Sequence, residues 1–417
     1  MELLGKYTLE AQNLINDKKY DEAVSMLDKA IANKEYEASS IIGMLYLTGL
    51  YVEKDINKGL DYLNIGLNNN DPKSISALGD CYYNGKYIDV DLAKAKELYQ
   101  KASMYNEPHA IGMLGLFLYN DKNYTDAVSY FKTGVALYDN NSMYYLGICA
   151  YNGYGMDTDY ELAYMLFSKL YEDNRSNKEL NKFLAEMYFN GYGVNKDIEK
   201  AKELYMGLDD NESIFNLALI YKNFDNDYLK AKDLFMKVKT VESQFELGLM
   251  YYNGLGVEEN KAEAYFKFYA CAMSKYPYSY PFLGDCYYYG YGVKKDNNEA
   301  IKWYKNAIKE NINNQHINLA VVYASIKEYD LAIDELLKEN DSINKYRMLA
   351  NCYIKKKKYD LAYNAYMYCA NLNDISSTYE IYKMLKKGKG VEKDKEKANL
   401  FYLKYVELST LSNGENK

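Results

Sequence analysis

Proline is almost absent from the sequence, with four residues in 417, and tryptophan occurs once. Because proline breaks helices, and because lysine, glutamate, leucine and alanine are abundant, the composition favours a helical chain. Arginine and histidine are also scarce, with two residues each, and the net charge is −8. Nucleic-acid recognition needs a basic surface and uses arginine by preference, so we expect no nucleic-acid partner.

Long apolar runs are missing as well. No stretch of about 18 apolar residues occurs, so the sequence predicts no membrane insertion. The first residues, MELLGKYTLEAQNLI, contain acidic side chains and no apolar block long enough for a signal peptide. We therefore expect a soluble, cytoplasmic protein.

The most frequent feature of the sequence is a repeated motif, in which Leu or Ile is followed by Gly or Ala. Weaker copies stand at Glu10-Ala11 and Ile381-Tyr382, and the mean period is about 34 residues, which is typical of helical repeat arrays. The ten clear anchors are Ile42-Gly43, Leu78-Gly79, Leu114-Gly115, Leu146-Gly147, Leu184-Ala185, Leu217-Ala218, Leu247-Gly248, Leu283-Gly284, Leu319-Ala320 and Leu349-Ala350.

Each copy predicts a helix–turn–helix repeat. Four residues after the anchor stands a large apolar residue, usually Tyr, and this spacing places both on one helical face. A loop then ends the helix, with its first glycine at a left-handed position: Gly153, Gly191, Gly254, Gly290 and Gly388. An aspartate that can cap a second helix follows: Asp55, Asp91, Asp159, Asp197, Asp296 and Asp394. Three prolines fall where a first helix should begin, and the fourth can delay or kink one: Pro72, Pro108, Pro277 and Pro281.

These residues resemble the Sel-one-like repeat, a subfamily of the tetratricopeptide repeat. The match is closest in FLGDCYYYGYGVKKDNNEAIKWYKNA, 282–307, and in FLAEMYFNGYGVNKDIEKAKELY, 183–205. The resemblance implies a superhelix of paired helices that binds partner proteins or peptides. We expect an all-α, right-handed α-solenoid of about twelve repeats, continuous over residues 1–409 and followed by a polar tail at 410–417.

The candidate chemical motifs have structural interpretations. The Gly-x-Gly loops lack the preceding strand and the third glycine of a dinucleotide-binding loop. No C-x-x-C pair occurs, and four cysteines share one repeat position that is apolar elsewhere: Cys81, Cys149, Cys286 and Cys352. We interpret them as core thiols, with a disulfide or redox role as the alternative. His109 and His316 lie in different repeats. The sequence therefore predicts no enzyme activity, catalytic residue, metal or cofactor.

The resemblance also implies which positions face a partner. In that family the first helix of each repeat lines the concave surface, with inward positions two and five residues on either side of the anchor. Aromatic residues occupy several of these positions, and we predict them as the partner-binding residues: Tyr83, Tyr119, Tyr144, Tyr151, Phe189, Phe215, Phe245, Tyr252 and Tyr288. The alternative is that these rings are buried as packing between repeats.

The function that we expect is a non-enzymatic scaffold or adaptor that binds a protein or peptide along this aromatic groove. Two alternatives stay open: a peptide or small-molecule sensor that changes its curvature, and a regulatory subunit of an enzyme encoded elsewhere. The last two repeats are locally basic, around Lys355–Lys358 and 383–397. This charge indicates either a solvated face or a patch for an acidic partner. The oligomeric state is left open.

Overall fold

The computed structural model describes residues 5–414, with side chains through residue 411. Twenty-four α-helices and one short 3-10 helix make up this part of the chain, and no strand occurs in it. Consecutive helices pack as hairpins, so residues 5–414 form twelve helix–turn–helix repeats. We call the first helix of each repeat its A helix and the second its B helix. The predicted all-α class and the number of repeats are confirmed.

The chain divides into two compact units, Met1–Asp209 and Asp210–Lys417. The N-terminal unit holds repeats 1–6: α1 (Lys6–Asn16), α2 (Tyr20–Ala32), α3 (Ala38–Thr48), α4 (Ile56–Asn68), α5 (Pro72–Asn84), α6 (Leu92–Ser103), α7 (Pro108–Asn120), α8 (Tyr124–Ala136), α9 (Asn140–Asn152), α10 (Tyr160–Asp173), α11 (Lys178–Asn190) and α12 (Ile198–Met206).

The C-terminal unit holds repeats 7–12: α13 (Asn211–Asn223), α14 (Tyr228–Lys237), α15 (Val241–Asn253), α16 (Lys261–Met273), α17 (Tyr280–Tyr289), α18 (Asn297–Lys309), α19 (Gln315–Ser325), α20 (Tyr329–Leu336), α21 (Ile343–Lys355), α22 (Tyr359–Asn371), α23 (Ile375–Lys387) and α24 (Lys395–Gly414). That all repeats form one continuous domain stays a prediction. Helix α24 includes the first residues of the predicted tail, and residues 415–417 lie outside the described chain.

The helix ends follow the sequence signals. The first glycine of each predicted loop has a positive φ, between 68° and 81°, at the end of an A helix. Each of the six predicted aspartates accepts a hydrogen bond from the backbone N–H three residues later. Pro72 and Pro108 are the first residues of α5 and α7. Pro277 opens the 3-10 turn Pro277–Ser279, and α17 is delayed to Tyr280.

Within a repeat, the small anchor residue makes room for an aromatic ring of the B helix. A Cβ added at Gly147 would lie 2.5 Å from Cε1 of Phe167, and one at Gly284 would lie 2.5 Å from Cε1 of Tyr304. Phe167 and Tyr304 are fully buried or nearly so. The anchor is therefore small because a large ring fills the space that any side chain would need.

Between repeats, serines and glycines pack where a B helix ends and the next A helix begins. Serines at the third position of A helices are completely buried: Ser74, Ser142, Ser213, Ser243 and Ser377. A Cβ at Gly66 would lie 2.2 Å from Oγ of Ser74, and one at Gly134 would lie 2.0 Å from Oγ of Ser142. This contact requires small residues on both helices, a constraint that we did not predict from the sequence.

The second glycine of the loop also joins neighbouring repeats. Gly193 has φ +65°, and a Cβ there would lie 2.0 Å from the carbonyl oxygen of Tyr160, the first residue of α10. Between the two loop glycines, Tyr192 stacks on Tyr160 with ring centroids 4.5 Å apart. The loop of repeat 6 therefore sits directly on the start of the B helix of repeat 5, and its second glycine allows this approach.

All six cysteines are buried and none forms a disulfide. Burial raises the pKa of the Cys81 and Cys149 thiols to about 11 and that of Cys286 to about 12. A buried, protonated thiol is a poor nucleophile, so the geometry agrees with the interpretation of these residues as core side chains.

Candidate functional site

The nine predicted partner-binding residues all lie on A helices, and we call them the aromatic row. Five belong to the N-terminal unit: Tyr83 on α5, Tyr119 on α7, Tyr144 and Tyr151 on α9, and Phe189 on α11. Four belong to the C-terminal unit: Phe215 on α13, Phe245 and Tyr252 on α15, and Tyr288 on α17. Phe245 is buried, with 9% of its surface exposed, and the other eight are half-buried.

In the N-terminal unit the row packs against rings of its own and neighbouring repeats. Tyr83 meets Phe117 of the next A helix edge to face, with centroids 5.6 Å apart. Tyr151 meets Phe183 of the next A helix at 5.3 Å. The other members contact rings as follows: Tyr119 with Tyr145 at 5.4 Å, Tyr144 with Phe167 at 6.3 Å, and Phe189 with Tyr205 at 6.5 Å.

The C-terminal unit shows the same arrangement. Phe215 contacts Phe235 at 5.6 Å, and Tyr288 contacts the exposed Tyr289 at 4.7 Å. Phe245 and Tyr252 both contact Phe282 of the next A helix, at 5.5 and 5.9 Å.

Three other rings contact members of the row, and we did not predict these contacts from the sequence. Tyr145, Phe183 and Phe282 each stand immediately before an anchor Leu. Each stacks on a B-helix ring of the preceding repeat and also contacts the row. The stacked pairs are Tyr145 with Phe131 at 5.6 Å, Phe183 with Phe167 at 4.8 Å, and Phe282 with Phe268 at 4.8 Å. The aromatic residue that precedes the anchor was the signal that could have identified these contacts.

Two hydroxyls of the row donate hydrogen bonds to carboxylates of the next A helix. Tyr144 Oη donates to Oε2 of Glu179 at 2.5 Å, and Tyr151 Oη donates to Oε2 of Glu186 at 2.9 Å. Burial, followed by the neighbouring carboxylates, raises the pKa of both tyrosines. Burial is the main cause that raises the pKa of Tyr119 to about 12, and neighbouring titratable groups such as Cys149 and Tyr124 add to the shift. The row therefore presents neutral rings together with negative charge.

Carboxylates two residues after the anchor are held by tyrosines of the B helix. Asp80 accepts a hydrogen bond from Tyr99 Oη, and Asp285 accepts one from Tyr304 Oη, both at 2.6 Å. Burial raises the pKa of Asp285, and the hydrogen bond from Tyr304 opposes this shift. These acids are thus fixed within the repeats, beside the row.

The two histidines have structural partners in separate places. His109, at the start of α7, lies 2.9 Å from Asp80 Oδ1 and 4.0 Å from Asp139 Oδ1. The hydrogen bond with Asp80 raises the pKa of His109. His316 Nδ1 lies 2.6 Å from Glu335 Oε2. Within residues 5–414, no group of three or more His, Cys, Asp or Glu side chains is arranged to hold a metal ion.

The described helices also give no candidate for a bilayer span, since none is both long and apolar enough. What the arrangement offers is a set of partly exposed rings with fixed carboxylates on the A helices of each unit. Such a surface is suited to binding, because rings bury a large area and carboxylates add charge selectivity.

Comparison with known proteins gives a family and solved structures of similar fold. A family model described as Sel1 repeat matches residues 37–71, 72–104, 140–174, 182–205, 241–266, 279–311 and 383–407, just over half of the chain. No curated protein matches the chain. A protective antigen present in uropathogenic Escherichia coli strains, which displays an SLR fold, is 21% identical over 94% of this chain and 90% of that one, with a TM-score of 0.62.

A Sel1 repeat protein from Oxalobacter formigenes is 20% identical over 77% of this chain and 86% of that one. Its TM-score of 0.32 is too low to support an argument. At these identities the likeness to the antigen concerns the fold alone.

Proposed function

Because this chain belongs to the Sel1 repeat family, we propose that it is a non-enzymatic scaffold that binds a protein or peptide segment along the aromatic row. Sel1 repeats are helical packing modules, and arrays of such modules present long surfaces to other polypeptides. The cytoplasmic location expected from the sequence is part of this proposal.

The observation that carries the proposal is the half-buried state of eight of the nine rings. These eight residues contact neighbouring rings and keep part of their surface open to solvent. A rigid, partly exposed aromatic side chain loses little conformational freedom when a partner covers it. In this proposal, packing between repeats, which we considered as the alternative to a groove, accounts for the buried part of these residues, and a partner would cover the exposed part.

The experiment is affinity capture of the partner with the full-length protein, followed by binding measurements with purified variants. Tyr151→Ala should weaken partner binding by about 2 kcal/mol, as for an anchoring aromatic residue. Tyr130→Ala is the matched control, because Tyr130 is exposed on B helix α8, outside the row. Thermal melts of both variants separate a binding defect from a folding defect.

A partner that binds Tyr151→Ala as tightly as the wild-type protein, while the variant melts at a lower temperature, would assign the ring to packing alone. A second variant in the other unit, Tyr252→Ala, applies the same test to the C-terminal part of the row.

A further inference from the structure

A cavity of about 350 Å³ lies in the N-terminal unit between the start of α9, the end of α10 and the start of α11. Its apolar lining comes from Leu170 and Leu180, and Tyr144 of the aromatic row stands beside them. Two carboxylates, Asp173 and Glu179, lie on its lining and are exposed. Four amides complete the lining: Asn140, Asn141, Asn174 and Asn177.

The charge of this cavity is not balanced from within. Among its described lining residues there is no lysine or arginine. Glu179 accepts a hydrogen bond from the Tyr144 hydroxyl. No ion pair joins Asp173 or Glu179 to a basic side chain of the described chain. Three cations close in sequence have other contacts: Lys169 lies over the ring of Tyr138 at 5.2 Å, Arg175 lies over that of Tyr171 at 6.0 Å, and Lys178 pairs with Asp209 at 3.0 Å.

The surrounding unit has the same sign of charge. Residues 1–209 contain 21 Lys and Arg against 31 Asp and Glu, a formal net charge of −10. Residues 210–417 contain 30 against 28, a net charge of +2. The acidity of the chain is thus concentrated in the unit that holds the cavity. A field of this kind attracts cationic ligands and repels anionic ones.

Lysine ammonium groups lie over tyrosine rings elsewhere in this unit. Lys58 Nζ lies 4.1 Å from the centroid of Tyr46, and Lys94 Nζ lies 4.4 Å from that of Tyr82. A tyrosine ring attracts a cation through its negative face, and a nearby carboxylate adds to this attraction. Tyr144 with Glu179 combines both elements in the cavity.

We propose that this cavity takes a lysine or arginine side chain, so that the partner of the N-terminal unit is a basic polypeptide segment. The aliphatic stem would lie on Leu170 and Leu180, and the cationic group would reach Asp173 and Glu179, as long basic side chains bury their stems and keep their charge at the surface. This inference rests on the proposed function, since it names the partner class for one part of the aromatic row.

The test uses the full-length protein and three fluorescent peptides of about twelve residues in extended form. Neighbouring A helices are spaced by about 10 Å and an extended chain advances about 3.3 Å per residue, so the variable residue is placed at every third position. This residue is Lys in one peptide, Ser in the second and Glu in the third. Anisotropy titrations at low salt give the dissociation constants.

The Lys peptide should bind at least about tenfold more tightly than the Glu peptide. Glu179→Gln and Asp173→Asn should each weaken it by about fivefold, as expected for a partly solvated ion pair. Glu172→Gln is the matched control, because Glu172 is exposed on the same helix as Asp173, outside the cavity lining, and the variant loses the same charge. Its affinity should stay within about twofold.

An equal loss of affinity for the Lys peptide in Glu172→Gln and Glu179→Gln would overturn the inference, because binding would then depend only on the overall charge of the protein. Equal affinity of the Lys and Ser peptides, or binding of none of the three, would overturn it as well. Competition by free arginine at the same concentration as the peptide would identify a small-molecule site instead. A captured partner that depends on Tyr151 but not on Glu179 would leave the proposed function standing and reject this inference alone.

Discussion

Replacing the second glycine of a loop should damage the stacking of repeats more than replacing the first. Gly191 and Gly193 lie in the same loop, between α11 and α12, with φ +78° and +65°. A left-handed alanine costs about 1–2 kcal/mol at either position. At Gly191 the nearest atom to an added Cβ is 3.5 Å away. The Gly191→Ala variant should therefore be destabilised by this conformational cost alone.

At Gly193 the added Cβ would lie 2.0 Å from the carbonyl oxygen and 2.3 Å from the carbonyl carbon of Tyr160. Because both atoms belong to the backbone of the neighbouring repeat, the clash is relieved only by moving the loop away from α10. That movement would break the stack of Tyr192 on Tyr160, which contributes about 0.5–1.5 kcal/mol. When the conformational cost and the loosened packing are added, Gly193→Ala should lower the free energy of unfolding by about 3–5 kcal/mol.

Urea denaturation followed by circular dichroism measures the loss, and hydrogen exchange of α10, α11 and α12 locates it. The single tryptophan, Trp303, lies in the C-terminal unit and reports separately on that part of the chain. Gly207→Ala is a further control, because φ is −86° and the nearest atom to an added Cβ is 3.9 Å away. Equal stability of Gly191→Ala and Gly193→Ala would refute the contact between loop and helix on which this reasoning depends.

Three further predictions follow from single groups. The Cys286 thiol, with its pKa raised to about 12, should resist alkylation in the native protein at about pH 8 and react only after denaturation, as mass spectrometry would show. Asp80 stabilises the protonated form of His109 in the folded protein. The resulting contribution to folding stability is present below the ordinary histidine pKa of 6.5, and it is lost as the pH rises through the raised pKa of His109. His109→Gln should therefore destabilise the protein at about pH 5.5 and have little effect at about pH 8 in thermal melts. Asp159→Ala removes a helix cap and should cost about 1 kcal/mol in urea titrations, whereas Asp157→Ala, two residues earlier in the loop, should cost little.

The local features of the fold could be predicted from the sequence because each depends on a few neighbouring residues. A glycine after an apolar helix face indicates a left-handed end, and an aspartate before the next apolar face indicates a cap. The five loop glycines and the six aspartates therefore lie as predicted. The delayed start of α17 also follows from local chemistry, since Pro277 and Pro281 restrict the backbone there.

Contacts between repeats were much harder to predict. The buried Ser142, the facing Gly134 and the second loop glycine, Gly193, are constrained by backbone or side chains of a neighbouring repeat. A single repeat contains no signal for such a distant contact, because a small residue in a helix or loop is acceptable for many reasons. Comparison of the repeats with one another was needed, and the aromatic residue before the anchor Leu was visible only in this way.

The candidate site shows the same division. The positions of the nine rings on A helices could be predicted from the repeat, but their contacts with Tyr145, Phe183 and Phe282 could not. These rings are thus held by packing within the chain, so under the proposed function the same side chains would serve both partner binding and repeat stability. The carboxylates are different, because Glu179 and Asp173 lie at the surface and contribute little to the core. Substitution of these carboxylates should therefore leave the fold intact, and under the proposed binding of a basic segment it would change the selectivity for a partner while the rings stay fixed by their packing.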